Sequence, residues 1–385
     1  AMPQLVPLLP AMSRPQRALV RVGFLAGDGL RALAGTRSSV LPRPRRITAA
    51  QAVAMAPTVR REGLDGALLA YDGQLIDDAR LVVAVARTAA QHGATILTRV
   101  AASAASGSSV RLTDTLTGES LDVTARAVIN ATGVWAAEVD SSITLRPSRG
   151  THLVFDAAAF GNPTAALTIP IPGETNRFVF AMPEQLGRVY LGLTDEEAPG
   201  PIPDVPEPTA PEVAFLLDTV NTALQTALTT ADVTGAYAGL RPLIDAGEGR
   251  TSDLSRDHAV LESDSGLFSV VGGKLTEYRY MAQDVLDRAV AARGLRAQPC
   301  RTRDLPLVGA PGNPVGTQGI TGDIPASLIA RYGAEAPDVI ASARCERPTA
   351  PVAEGIDVTR AEFEFAVTHE AALDAGDILD RRTRI

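Results

Sequence analysis

Leu267–Ala282 reads LFSVVGGKLTEYRYMA. An apolar run ends in two glycines, a lysine follows, and helical spacing begins. LFSVVGG has the pattern of a buried strand. A helix is expected from about Thr276 to Ala292, with Met281, Val285 and Ala289 on one side and Gly294 as its stop. A strand passing through glycines into a helix is an α/β junction. The glycines allow close backbone approach to a ligand, and the free N–H groups of the helix start suit an anion. The alternative is an ordinary glycine turn before a helix. Lys274 is the only lysine, since 35 of the 36 basic residues are arginine. Either codon drift spared one lysine, or this position needs a compact ammonium where a planar guanidinium will not serve.

Upstream, RAVINATG (Arg126–Gly133) is another buried-strand pattern closed by Thr132 and Gly133, and the only tryptophan, Trp135, follows. A helix capped by Asp77 or Asp78 is expected to run to about Gln91, with Gly93 as its stop. ATILTRV, ending at Val100, reads as a strand, and 109–113 with 120–123 as a small hairpin. This order suits a doubly wound α/β sheet. The middle differs. THLVF, RFVFAM, RVYLGLT and DVTGAYAGLRPLI read as strands of an antiparallel sheet, and a helix is expected over about 211–228. Beyond Cys300 a Gly/Pro-rich linker leads to short helices. The first 64 residues are rich in Pro and Arg. Within them Arg14–Leu33 reads as a basic amphipathic helix, with Leu19, Val22, Leu25 and Leu30 apolar and Arg14, Arg17, Arg21 and Arg31 charged. Such a helix can lie on an anionic membrane surface or be an ordinary solvated helix.

The totals exclude several classes. A chain of 385 residues implies two or three domains. A net charge of −8 and a pI near 5.2 argue against nucleic-acid binding. Two distant cysteines, Cys300 and Cys345, make a disulfide framework or cysteine zinc site improbable and fit a reducing compartment. Four scattered histidines give no metal-ligand spacing, so no metal is expected. No apolar run spans a membrane.

Three further stretches carry candidate chemistry. GLRPLI (Gly239–Ile244) places Arg241 at a strand end, where its fork can hold a phosphate; a surface arginine is the plainer reading. RPSRGTHLV (Arg146–Val154) places His152 at a strand start, as a general base or a structural histidine. SRDHAV (Ser255–Val260) groups Arg256, Asp257 and His258, with salt-bridge structure at least as good an account.

GGKLTEYRYMA resembles the second sequence motif of the FAD-dependent glycerol-3-phosphate dehydrogenases at every position. NATGVW, YDGQLIDDARLV, RPSRGTH, GLRPL and SRDHAV are similar to that family in the same order. The closing AEFEFAVTHEAALDAGDILDRRTRI is similar to its C-terminal domain, so the resemblance covers nearly the whole chain. It implies α/β and α+β architecture. A discontinuous Rossmann-like FAD-binding domain of glutathione-reductase type would occupy 65–140 plus 245–300. An antiparallel-sheet substrate domain would occupy 1–64 plus 141–244, and a C-terminal helical domain 301–385. The implied reaction is oxidation of sn-glycerol 3-phosphate to dihydroxyacetone phosphate, with hydride passed to FAD and electrons to quinone. Arg241 and Arg256 would then hold the substrate phosphate, together with Lys274. His152 would take the hydroxyl proton, and Lys274 would stand beside flavin and substrate. Thr132, Gly133, Trp135, Gly272, Gly273, Leu275 and Thr276 would line the flavin, with Val100 near the adenine. A cation at the helix start would stabilise the negative charge of the reduced ring. The basic helix would face the membrane, placing the protein in the cytoplasm on the inner face of the cell membrane; a homo-oligomer is left open.

The family's GxGxxG segment, which cradles the FAD pyrophosphate, is not in this sequence; Gly23, Gly27 and Gly29 have another spacing. The stretch by itself is therefore expected to bind FAD weakly or not at all. Two alternatives stand beside the dehydrogenase reading. One is an FAD-dependent oxidase of another small substrate; the other is a flavin-free, non-catalytic fragment.

Overall fold

The computed structural model describes residues 1–174, 177–245, 257–314 and 324–385. Its strands are β1 (Met2–Pro7), β2 (Arg45–Ile47), β3 (Ala67–Asp72), β4 (Val100–Ser103), β5 (Ser109–Asp114), β6 (Ser120–Thr124), β7 (Ile129–Asn130), β8 (Leu145–Asp156), β9 (Ala166–Pro170), β10 (Phe178–Glu184), β11 (Arg188–Gly192), β12 (Glu196–Glu197), β13 (Val233–Ile244), β14 (His258–Glu262) and β15 (Phe268–Gly272). The α-helices are α1 (Arg14–Leu33), α2 (Ala49–Met55), α3 (Asp78–Gln91), α4 (Ala136–Val139), α5 (Ala210–Asn221), α6 (Tyr278–Ala292), α7 (Ala326–Tyr332), α8 (Ala336–Ser342) and α9 (Arg360–His369). The chain divides into two compact units, Ala1–Gln74 with Thr144–Arg256, and Leu75–Ile143 with Asp257–Ile385.

The first unit is built on a nine-stranded sheet in the order β12-β8-β11-β10-β9-β1-β3-β2, with β13 also on β8. β13 pairs along β8 from Leu145 to Phe155, while β11 and β12 pair with different parts of β8. β13 therefore takes one edge of β8, and β11 and β12 share the other. All pairings are antiparallel except β1 with β9. Alternation decides the two faces. Leu5, Leu69, Leu153, Phe155, Leu167, Ile169, Val179, Val189 and Leu191 are buried and pack with Leu216 and Val220 of α5 and Ala52 of α2. On the other face, Val20 and Phe24 of α1 pack against Val6, Leu68 and Phe178.

The second unit holds two three-stranded sheets, β14-β15-β7 and β4-β5-β6. Of the parallel sheet that the α/β order implies, the described residues form one pair, β7 beside β15. Val285 and Ala289 of α6 close over Phe268. A separate core of Leu328, Tyr332, Ala336, Val339, Ala361 and Phe365 joins α7, α8 and α9.

Several local expectations are corrected. ATILTRV does not form a strand: only Val100 lies in β4, and Ile96 and Leu97 are exposed with no strand beside them among the described residues to share hydrogen bonds. RAVINATG contributes just Ile129 and Asn130 to a strand, because β15 pairs with it only there. The helix expected to reach residue 228 ends at Asn221, whose side chain turns to bond the backbone of Leu228. The N-terminal Pro-rich run hides a strand, β1, held between β3 and β9.

Candidate functional site

In the first unit the site grows from one strand pair. On β13, Tyr237 stands opposite His152, Gly239 opposite Gly150, and Arg241 opposite Ser148. Period-2 alternation puts all six on one face of the sheet. Thr151, Leu153 and Phe155 are fully buried on the other. The functional face is thus set by where the core must be.

Two glycines make room on it. A Cβ on Gly150 would collide with the Arg241 guanidinium, lying 3.1 Å from Nη1. The guanidinium therefore lies across Gly150, two strand positions from His152, which amounts to about 7 Å along the strand. On the neighbouring strand Gly192 stands opposite His152. A Cβ there would lie 2.5 Å from the imidazole Nε2. The His152 ring stacks on Tyr237 at 5.0 Å and 9° between planes. Tyr237 in turn meets Tyr190 edge-on at 5.8 Å.

Arg241 is held from below. Its Nη2 donates to the Thr194 carbonyl (3.2 Å) and its Nη1 to Ser148 Oγ (3.3 Å), with Asp195 Oδ1 at 3.6 Å. The Ser148 hydroxyl also donates to Asp195. Thr194 is fixed by accepting from the Thr151 N–H (2.9 Å) and donating to Glu212 Oε1 (2.8 Å). Glu212 also takes Arg149 Nε at 2.8 Å and closes the capping box of α5 with Thr209. Burial pushes the Glu212 carboxyl up, but its hydrogen bonds from Thr209, Thr194 and Arg149 outweigh this and hold it below the usual carboxylate range.

In the second unit the sequence candidates meet at the carboxyl ends of β7 and β15. Ser269 pairs in parallel with Asn130. Gly133 and Gly272 each follow three residues later, so the two turns leave side by side. Gly133, Gly272 and Gly273 all adopt positive φ, at 63°, 73° and 74°. Each turn runs into a 3₁₀ segment and then a helix, Gly133–Trp135 before α4 and Leu275–Glu277 before α6. Neither Lys274, before the Leu275–Glu277 segment, nor Glu277, before α6, caps that start with its side chain. A buried network supports the first turn. Thr132 Oγ1 donates to Asn130 Oδ1 (2.7 Å), and Asn130 Nδ2 donates to Ser269 Oγ (3.1 Å) and the Ala136 carbonyl (3.0 Å). Lys274 is exposed, with Glu277 Oε1 at 3.7 Å.

This cradle fits a flavin. Adjacent glycine turns at the ends of parallel strands, followed by open helix starts, offer backbone donors and room for a flat anionic ring. Gly273 has a φ of 74°, which L side chains rarely adopt, and a Cβ there would also meet Met281 Sδ at 2.5 Å. Thr132, Gly133 and Trp135 follow β7, and Gly272, Gly273, Lys274, Leu275 and Thr276 end or follow its parallel neighbour β15. Val100 lies in the separate β4-β5-β6 sheet. His258 packs on α6, its Nε2 3.0 Å from Asp284 Oδ2 and its ring edge-on to Tyr280. Arg256 lies outside the described residues.

Tyr237, Gly192, Ser148 and Asp195 escaped the sequence reading. One signal was present: in YAGLR, Tyr237, Gly239 and Arg241 alternate, as Gly150 and His152 do in RGTH. That Gly192 faces His152 follows only from the pairing of β11 with β8.

Residues 10–279 match the family described as FAD dependent oxidoreductase, and residues 300–385 match the C-terminal domain of alpha-glycerophosphate oxidase. A Mycobacterium tuberculosis protein named Glycerol-3-phosphate dehydrogenase 1 is 73% identical over 389 residues, covering 100% of this chain and 75% of that protein. A mitochondrial glycerol-3-phosphate dehydrogenase of Arabidopsis thaliana is 31% identical, over 92% of this chain and 61% of its own length. The crystal structure of glycerol-3-phosphate dehydrogenase from Bacillus halodurans with FAD superposes at a TM-score of 0.73 and 24% identity, covering 99% of this chain and 72% of that one. At that identity the likeness is one of fold.

Proposed function

The chain belongs to the FAD-dependent oxidoreductases and among them to the glycerol-3-phosphate dehydrogenases, and on that premise we propose that it oxidises sn-glycerol 3-phosphate to dihydroxyacetone phosphate. The observation that carries this reading is the pairing of His152 with the Arg241 fork on one glycine-floored sheet face. Their spacing suits a substrate whose secondary hydroxyl and phosphate are only a few bonds apart.

Arg241 binds the phosphate through its charge and fork, and Thr194 and Ser148 hold that fork in place. His152 accepts the hydroxyl proton as the C2–H bond breaks. Bound FAD supplies the acceptor for that hydride. Thr132, Gly133, Trp135, Gly272, Gly273, Leu275 and Thr276 would hold the ring through backbone donors and shape. Lys274 would supply positive charge beside the ring. Arg256 is a second phosphate ligand in this reading.

The finer proposals are a quinone as electron acceptor and attachment to the inner face of the cell membrane. α1 supports the second. Leu19, Val22, Leu25, Leu30 and Leu33 are exposed, with Arg14 and Arg21 beside them, while the helix buries Val20. Among the described residues no helix is long and apolar enough to cross a membrane.

The test is run with FAD in excess, and flavin occupancy is read from absorbance before turnover is measured. Arg241→Ala should raise KM for glycerol 3-phosphate by about 10- to 100-fold, the value of a charged hydrogen-bond pair. His152→Asn should lose kcat while the flavin absorbance stays. Unchanged KM in the first variant would overturn the phosphate reading, and unchanged kcat in the second would remove His152 from the chemistry.

A further inference from the structure

His152 lies on the middle strand of three. Tyr237 is in register with it on β13, and Gly192 is in register on β11. On the Tyr237 side its imidazole meets a parallel ring at 5.0 Å. On the Gly192 side it occupies the space that a Cβ would need, 2.5 Å from Nε2. Tyr237 is itself steadied by the edge of Tyr190. An aromatic pair at this separation lies within the favoured range, and a ring wedged between a parallel face and a bare backbone has little freedom to turn.

We propose that Tyr237 and Gly192 form a clamp that fixes the imidazole plane of His152, making Tyr237 a positioning residue for proton transfer. This rests on the reading of His152 as proton acceptor. The clamp has two consequences. It keeps the accepting nitrogen on one line, which matters because a misplacement of about 1 Å can cost 100-fold in rate. It also sets the negative face of the Tyr237 ring against the positive charge that His152 acquires on taking the proton. The ring face does this work, and the tyrosine hydroxyl is not needed.

The experiment compares Tyr237→Leu, Tyr237→Phe and Gly192→Ala in FAD-loaded protein. Two readouts are taken: steady-state kinetics with glycerol 3-phosphate, and modification of His152 by diethyl pyrocarbonate, followed by the mass of its peptide. Flavin absorbance reports that each variant is folded. Tyr237→Leu should lower kcat about 10- to 100-fold with KM changed by less than about threefold, and His152 should be modified several times faster. Tyr237→Phe should restore most of both losses. Gly192→Ala should lower kcat as Tyr237→Leu does. Wild-type kcat and labelling in Tyr237→Leu would overturn the clamp, as would a Tyr237→Phe variant as impaired as Tyr237→Leu. His152→Asn separates the two ideas. If it keeps its turnover, the proton-acceptor reading fails, and labelling of His152 in the Tyr237 variants still decides whether the clamp exists.

Discussion

Gly273 shows how much a single absent side chain can decide. Its φ of 74° is a left-handed conformation, and a Cβ would press on Met281 Sδ. The flexible thioether can swing aside, so the backbone strain costs more than the clash. Gly273→Ala is expected to cost about 1–3 kcal/mol in urea unfolding and to weaken flavin retention, read from absorbance after gel filtration. Wild-type retention would mean that the cradle does not need this turn. Lys274 is next to it. Its exposure and its loose pairing with Glu277 leave the ammonium available for a ligand, which fits its survival in a chain that otherwise uses arginine. Arg241 is the contrary case, a cation already gripped by Ser148, Thr194 and Asp195. It gains orientation from that grip and gives up part of its charge to Asp195.

At the scale of elements, α1 keeps its sequence-expected span, Arg14–Leu33, but its faces needed the structure. Val20 and Phe24 turn inward, whereas Arg17 folds back onto the Met12 and Leu9 carbonyls at 3.1 and 2.8 Å. The outward stripe is left rich in leucine and valine. The double change Val22→Glu and Leu25→Glu should abolish sedimentation with anionic lipid vesicles and leave the denaturation midpoint unchanged. Retained sedimentation would sink the membrane proposal. α5 makes a pH prediction. Because Glu212 is held below the ordinary carboxylate range, it contributes stability above its unfolded value of about 4.3, and that contribution is lost as pH falls through the lower folded value. Urea midpoints should therefore drop more steeply in wild type than in Glu212→Gln over the range below about pH 4.5. Parallel profiles would show that the buried carboxylate does not govern acid stability.

Across the whole molecule, contacts distant in sequence organise each unit. In the second unit α3 is tied to the C-terminal segment by Arg80 with Glu370 and Arg87 with Glu335, where Arg87 Nη1 reaches Glu335 Oε2 at 2.7 Å. Arg80 also lies over the Tyr332 ring at 3.9 Å. Glu370 is buried, so Glu370→Ala should cost about 3–5 kcal/mol in denaturant unfolding, because it strands a guanidinium. Pairing it with Arg80→Met should recover much of the loss, and an equally unstable double variant would show that the charge pair is not the cause. The sequence by itself determined what is local: α1 and α3 with their ends, the antiparallel strands, the glycine turns, and the motif containing Lys274. These follow from periodicity and from the conformations open to glycine. Tertiary structure decided which strands become neighbours. Alternation says that His152 and Arg241 each point away from a core, but not that β13 lies in register on β8, nor that Gly192 leaves room for an imidazole. It also decided that Pro-rich β1 is a strand and that ATILT is not. A strand exists only where another supplies its hydrogen bonds, and that partner is chosen by burial across the whole unit.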